Sequence, residues 1–187
     1  MSFRLDIRWH GRGGHGLVST SILLCSIAVR RGLYALSIPI FGAERRGAPT
    51  RVYTRISNKP IRRRSGIKKP DIVVITDKSL LTIVNPLHGL KDNGIVIINA
   101  ERLSENEYKM VSKYKVYTIN AVELAIKADL KVGGIPVVTI PMLGALIKVI
   151  KIIPPDIAFD VIKERWHGEL AEKNINALKL GLEVIKE

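Results

Sequence analysis

Cysteine is nearly missing from this chain: Cys25 stands alone among 187 residues. A single thiol excludes internal disulfides and any thiolate-ligated iron–sulfur cluster or zinc site that this chain could build by itself. Placed in an apolar helix, Cys25 is expected to act as a small buried hydrophobe. Aromatic residues make up 5%, which leaves few platforms for stacking nucleic-acid bases, and no RNA-binding signature is present. No nucleic-acid partner is expected. Glutamine is absent, Ile is abundant, and Lys and Glu dominate the later segments; this composition points to a thermophilic source. No uninterrupted apolar run reaches membrane-spanning length, and Met1-Ser2-Phe3-Arg4 leads into a charged strand rather than a signal peptide. A cytoplasmic chain without a membrane partner is expected.

Acid is scarce in one region only. Residues 1–69 hold fifteen Lys and Arg against Asp6 and Glu44, whereas residues 70–187 hold fifteen of each sign. The whole net charge of +13 therefore belongs to the first third, and twelve of its fifteen cations are Arg. Arg pairs bidentately with carboxylate or phosphate, while Lys is the ordinary solubilising cation. Arg45, Arg46, Arg51, Arg55, Arg62, Arg63 and Arg64, crowded into 20 residues, favour a polyanion or an acidic protein partner over a merely solvated face.

The motif in this basic region is His10-Gly-Arg-Gly-Gly-His-Gly16. It follows Phe3-Arg-Leu-Asp-Ile-Arg-Trp9, in which Phe3, Leu5, Ile7 and Trp9 share one strand face at period two. Leu17 to Val29 behind it is apolar enough for a packed helix. Strand, glycine turn and helix in that order aim backbone N–H groups at an anion. Gly11, Gly13, Gly14 and Gly16 allow positive φ or close approach, and Arg12 stands beside them. Gly11 alone is best explained by packing.

Further along, Tyr34–Phe41 reads as a strand with an edge signal at Pro39, and Gly42–Pro49 as a loop. Arg51–Ile56 alternates, and Ser57–Pro60 supplies a turn before Ile61–Arg64, so a β-hairpin is expected there. Asp71–Thr76 and Gly94–Asn99 are continuous apolar runs suited to buried parallel strands, with Lys115–Ile119 a shorter one. Ala121–Asp129 is the clearest intervening helix; beyond Pro141 the segments Met142–Ile152, Asp156–Arg165 and Glu169–Ile185 look helical. The expected class is α/β: a three-layer sandwich with a mostly parallel central sheet, an Arg-rich β-hairpin insertion and a helical C-terminal third. Residues 1–187 are expected to form a single domain.

Catalytic constellations are thin. NAD binding would place an acidic residue near the end of the second strand, where Ser37, Ile38, Pro39 and Ile40 stand instead. The loop lacks the Lys-Ser/Thr ending of a nucleotide-hydrolysing phosphate loop. His10, His15, His88 and His167 show no zinc-helix spacing, so no metal site is expected. A stand-alone NADP- or coenzyme A-binding protein of Rossmann-like fold is one reading, and a basic RNA-binding domain another.

Taken together, Gly11-Arg-Gly-Gly-His-Gly16, Phe41-Gly-Ala-Glu-Arg-Arg-Gly-Ala-Pro49, Pro70-Asp-Ile-Val-Val74, Met142-Leu-Gly-Ala-Leu146 and Ala171-Glu-Lys-Asn-Ile-Asn-Ala-Leu178 resemble the gamma subunit of 2-oxoacid:ferredoxin oxidoreductases along nearly the full length. His15 stands where that family usually has Gln, and Thr139 where Asn usually precedes the Met-Leu-Gly-Ala helix. The resemblance implies a subunit of a complex that oxidatively decarboxylates a 2-oxoacid, with pyruvate the foremost candidate, to an acyl-coenzyme A and reduces ferredoxin. It implies alpha, beta and delta type partners. Thiamine diphosphate, magnesium and 4Fe–4S clusters would be carried on other subunits, with no cofactor resident on this chain. Gly11, Arg12, Gly13, Gly14, His15 and Gly16 become candidates for contacting a coenzyme A phosphate. Glu44, Arg45 and Arg46 become candidate interface residues, and the isolated chain is expected to be catalytically inactive.

Overall fold

The computed structural model describes residues 2–40 and 47–185. The elements run β1 (Arg4–Arg12), α1 (Leu17–Arg30), β2 (Tyr34–Pro39), β3 (Pro49–Ser57), β4 (Ile72–Ile75), α2 (Leu80–Ile83), β5 (Ile95–Asn99) and α3 (Glu105–Val111). They continue with β6 (Lys115–Ile119), α4 (Ala121–Lys127), β7 (Lys131–Val132), β8 (Ile135–Pro136), α5 (Thr139–Ile150), α6 (Pro155–Arg165) and α7 (Gly168–Glu183). The main sheet has the order β2-β3-β1-β4-β5-β6, and β7 pairs with β8 in a separate small ribbon. Strands β1, β4, β5 and β6 are mutually parallel, while β3 runs antiparallel to both β1 and β2. Five of the six strands thus point one way, as expected of a mostly parallel sheet, and β2 lies at an edge as Pro39 suggests.

The expected hairpin is redistributed. Its first arm is part of β3, but Ile61–Arg64 forms no strand. Both edges of β3 are already occupied, by β1 and by β2, so no ladder remains for residues 61–64 to join. The Arg55 side chain takes the Arg63 carbonyl instead, Nη1 to O 2.6 Å. The hairpin that does form joins β2 to β3, with Arg51 and Arg55 on its second arm.

One sheet face is apolar and covered by the long helices. Ile7, Trp9, Val52, Ile56, Val74 and Ile97 share a buried cluster with Leu24, Ile27, Leu143, Leu146, Ile162 and Leu178. On the other face Val73, Ile75, Val96 and Ile98 meet Leu80, Leu81, Leu87, Leu90 and Val111, a thinner layer carried by α2, α3 and their connections. Three layers follow, as expected of α/β architecture.

Within the thick layer α5 and α7 touch backbone to backbone. A Cβ on Gly144 would overlap the Leu178 carbonyl oxygen, and one on Gly181 would overlap the Pro141 carbonyl. These glycines permit a crossing that no larger residue allows. Gly181→Ala is therefore expected to cost about 3 kcal/mol, or roughly 6–12 °C in Tm. Gly133→Ala, where a Cβ meets nothing within 4 Å and only a positive φ of +57° opposes it, should cost about 1 kcal/mol. Calorimetry of the two variants checks the difference.

Candidate functional site

β1 carries the glycine motif at its C-terminal end, and its alternation separates two buried faces rather than core from water. Asp6, Arg8 and His10 are all buried, like Ile7 and Trp9 between them. The reason lies in the sheet order: β1 is interior, with β3 on one side and β4 on the other. Asp6 Oδ1 accepts from Arg55 Nε at 2.6 Å, and both side chains are about 5% exposed or less. Arg8 Nη2 donates to the carbonyls of Pro86 (2.8 Å) and His88 (2.5 Å). His10 lies opposite Arg51 on β3, and its Nε2 has no hydrogen-bond partner. Burial, with Arg8 and Arg51 nearby, pushes the His10 imidazole down to about 3, so the ring is neutral near pH 7.

His10 makes the fold acid-sensitive. Its folded-state value lies below the 6.5 of an exposed imidazole, so protons bind the unfolded chain preferentially. The stability it contributes is intact above pH 6.5 and is lost as pH falls from there toward 3. Between pH 7 and pH 4 the loss amounts to about 3 kcal/mol. His10→Gln removes the titration, so its denaturation midpoints at pH 7 and pH 4 should lie closer together than those of the wild type.

Beyond His10 the strand enters the glycine loop. A Cβ on Gly11 would run into Thr76 Oγ1 and the Leu17 side chain, so glycine is required there for packing. Gly13 N donates to the Ala48 carbonyl (2.8 Å), and Gly47 N donates back to the Gly13 carbonyl (3.0 Å). These two bonds clasp the loop to the chain entering β3. Arg12 extends the clasp: Nε pairs with Asp77, Nη2 donates to Ser79 Oγ (2.8 Å) and Nη1 to the Gly47 carbonyl (3.0 Å). Burial raises the Asp77 carboxyl, but hydrogen bonds from Arg12 and Ser79 outweigh it and hold the group below the usual carboxylate range. Arg12 thus spends its charge on Asp77 and serves to position the loop.

The anion-facing geometry falls instead to the backbone. Gly14 and Gly16 adopt φ of 89° and 80°, conformations that favour glycine. Gly16 is the N-cap of α1; no side chain caps this helix and no acidic residue lies in its first turn. The start of α5 comes up beside it, likewise without a side-chain cap. Thr139, at that start, is 1% exposed. Its Oγ1 lies 3.6 Å from where a Gly16 Cβ would sit and has no hydrogen-bond partner. Two uncapped helix N-termini and a buried hydroxyl therefore converge on the loop, an arrangement that favours negative charge. His15 is half-buried, its backbone N donating to the Arg12 carbonyl at 3.1 Å. Glu44, Arg45 and Arg46 lie outside the described residues. Thr139 was visible in the sequence only as a departure from a motif; its place beside Gly16 arises across more than 120 residues of chain.

The sheet argues against a dinucleotide-binding protein. Only residues 40–48 separate β2 from β3, and the two strands are antiparallel, so the helical crossover of a Rossmann half is missing there. Comparison with known proteins decides the matter. The family model described as pyruvate ferredoxin/flavodoxin oxidoreductase matches residues 6–184. The chain belongs to this family. Among relatives of this oxidoreductase chain is the common gamma subunit of the pyruvate/ketoisovalerate oxidoreductases of Pyrococcus furiosus, 40% identical over 94% of each chain. Another is pyruvate synthase subunit PorC of Methanothermobacter thermautotrophicus, 38% identical over 98% of this chain and 97% of that one. The crystal structure of pyruvate oxidoreductase subunit PORC from Thermotoga maritima superposes with a TM-score of 0.83 at 33% identity, covering 96% of each chain. Thermophilic hosts occur among such relatives. The oxidoreductase subunit matches its relatives end to end, which leaves the stand-alone nucleotide-binding reading without support. No helix among the described residues is long and apolar enough to cross a membrane.

Proposed function

We propose that this chain is the gamma-type subunit of a cytoplasmic complex that oxidatively decarboxylates a 2-oxoacid, pyruvate foremost, to an acyl-coenzyme A and passes the electrons to ferredoxin. The observation that carries this reading is the end-to-end match to gamma-type subunits at about 40% identity. Residues 1–187 act as one domain among alpha, beta and delta type partners. Thiamine diphosphate, magnesium and the 4Fe–4S clusters belong to those partners. A lone cysteine cannot ligate a cluster, and burial pushes the Cys25 thiol up to about 12, far from the thiolate that ligation needs.

The glycine loop is the part of this chain that fits a coenzyme A phosphate. Backbone N–H groups at the starts of α1 and α5 and the Thr139 hydroxyl supply donors, while Arg12 holds the frame. Gly13, Gly14 and Gly16 keep the surface flat enough for close approach, with Gly11 and His15 flanking them. Coenzyme A is the acyl acceptor; the chain's residues bind and orient it. Glu44, Arg45 and Arg46 are interface residues in this reading.

The purified chain should reduce neither ferredoxin nor a viologen dye with any 2-oxoacid, and activity should appear on mixing with the partner subunits. Turnover by the chain alone overturns the assignment. In the assembled enzyme, Thr139→Val removes a hydroxyl that has no partner among the described residues, so stability should hold or rise by about 1 kcal/mol. The KM for coenzyme A should rise several-fold in that variant, and in Gly14→Ala, while decarboxylation without coenzyme A keeps its rate. An unchanged KM in assembled variants returns the loop to a packing role.

A further inference from the structure

Among the described residues, the densest run of exposed cations without a carboxylate partner lies in one segment. Between Ser57 and Pro70 there are six cations, Lys59, Arg62, Arg63, Arg64, Lys68 and Lys69, and no acidic residue. All six are exposed, as is Arg51 on the adjoining strand. Several exposed cations elsewhere are matched with carboxylates: Arg30 with Glu164, Lys78 with Glu107, Lys91 with Asp71, Lys109 with Glu105 and Lys127 with Glu123. Among the described residues none of the six makes such a pair; the one side-chain hydrogen bond is from Arg63 Nε to Ser65 Oγ, 2.9 Å.

This segment is nevertheless no loose tail. The Arg63 carbonyl is held by buried Arg55, which is in turn locked to Asp6. Gly66 lies on the Tyr53 ring, whose Cε2 is 3.2 Å from where a Gly66 Cβ would stand. Ile67 is 3% exposed. At the two ends, Lys59 N donates to Ser57 Oγ (3.0 Å) and Lys91 N to the Pro70 carbonyl (3.2 Å). The strap crosses the polar face of β1 and β3, away from α1 and α5, with its backbone tied down and its cations turned to solvent. Crowded like charges cost the free chain stability, and a fixed frame lowers the ordering cost of binding an oppositely charged surface.

We propose that the strap 59–69 is a docking surface for an acidic face of another subunit of the complex, an inference that rests on the subunit reading above. A protein face suits it better than nucleic acid: no aromatic residue stands between Tyr53 and Tyr108, so stacking platforms are absent from the strap. Rigidly spaced cations match fixed carboxylates and steer the encounter.

The test uses the full chain with its co-expressed partner subunits. Wild-type association should weaken steeply as salt rises from 50 to about 500 mM, the signature of charge-driven docking. Combining Arg62→Glu, Arg63→Glu and Arg64→Glu should weaken association by about 100-fold or more at low salt, while the Tm of the free chain stays level or rises. A control of equal charge change, Arg102→Glu with Lys109→Glu and Lys113→Glu, should alter association less than about 3-fold. Normal assembly of the strap variant overturns the proposal, as does an equal loss in the control, which would indicate net charge alone. Tight binding of the free chain to a 20-nucleotide single-stranded RNA or to phosphatidylserine vesicles, abolished by the strap changes while assembly is untouched, also overturns it. If the wild-type chain assembles with no partner at any salt, the subunit reading itself fails, a result distinct from failure of the strap.

Discussion

Asp6 is the charge around which half of this molecule is arranged. It is buried in the interior strand and answers Arg55 at 2.6 Å, where neither charge has water to fall back on. Removing one partner of such a pair typically costs 3–5 kcal/mol because the other is left buried and alone. The same carboxylate receives Arg4, and the Asp6 backbone exchanges bonds with Asp71 at the start of the parallel half. Arg55 then holds the strap through the Arg63 carbonyl. The antiparallel arm, the parallel core and the basic surface thus meet at one ion pair. On this face of β1 the side chains of Asp6 and Arg8 meet Arg55 and the carbonyls of Pro86 and His88.

On the other face, close approach governs. Gly11 admits Leu17 and Thr76 beneath the loop, and Gly144 and Gly181 let α5 and α7 meet backbone to backbone. The α5 contact bears on the loop, because it sets where Thr139, the first residue of that helix, arrives relative to Gly16. Packing in the C-terminal third thereby shapes a surface encoded near the N-terminus. Arg12 completes the arrangement from the opposite side, bracketing Asp77, Ser79 and Gly47.

The two surfaces described here differ in kind. The loop offers neutral backbone donors and helix termini, suited to a small anion held closely. The strap offers exposed guanidinium and ammonium groups over several residues, suited to a broad face of opposite charge. The cations of the first third fall into two groups: Arg8, Arg12 and Arg55, wholly or partly buried and hydrogen-bonded inside, and the exposed cations of the strap.

The sequence by itself determined what depends on near neighbours. Apolar runs such as Ile72–Ile75 and Ile95–Asn99 became buried parallel strands, and Pro39 ended an edge strand. The glycine loop fell between strand and helix as its spacing requires, and the excess of positive charge was plain from composition. Tertiary structure alone decided which faces are wet and which side chains meet. Period two shows that Asp6, Arg8 and His10 share a face, but not that loops from residues 61–67 and 86–88 cover it. The turn at Ser57–Pro60 points to a returning strand at Ile61–Arg64, yet β3 had no edge left to offer. Arg12 found Asp77, and Thr139 found Gly16, across separations that no local pattern encodes. Periodicity reports the geometry of one segment, whereas burial and ion pairing depend on which segments the sheet order brings together.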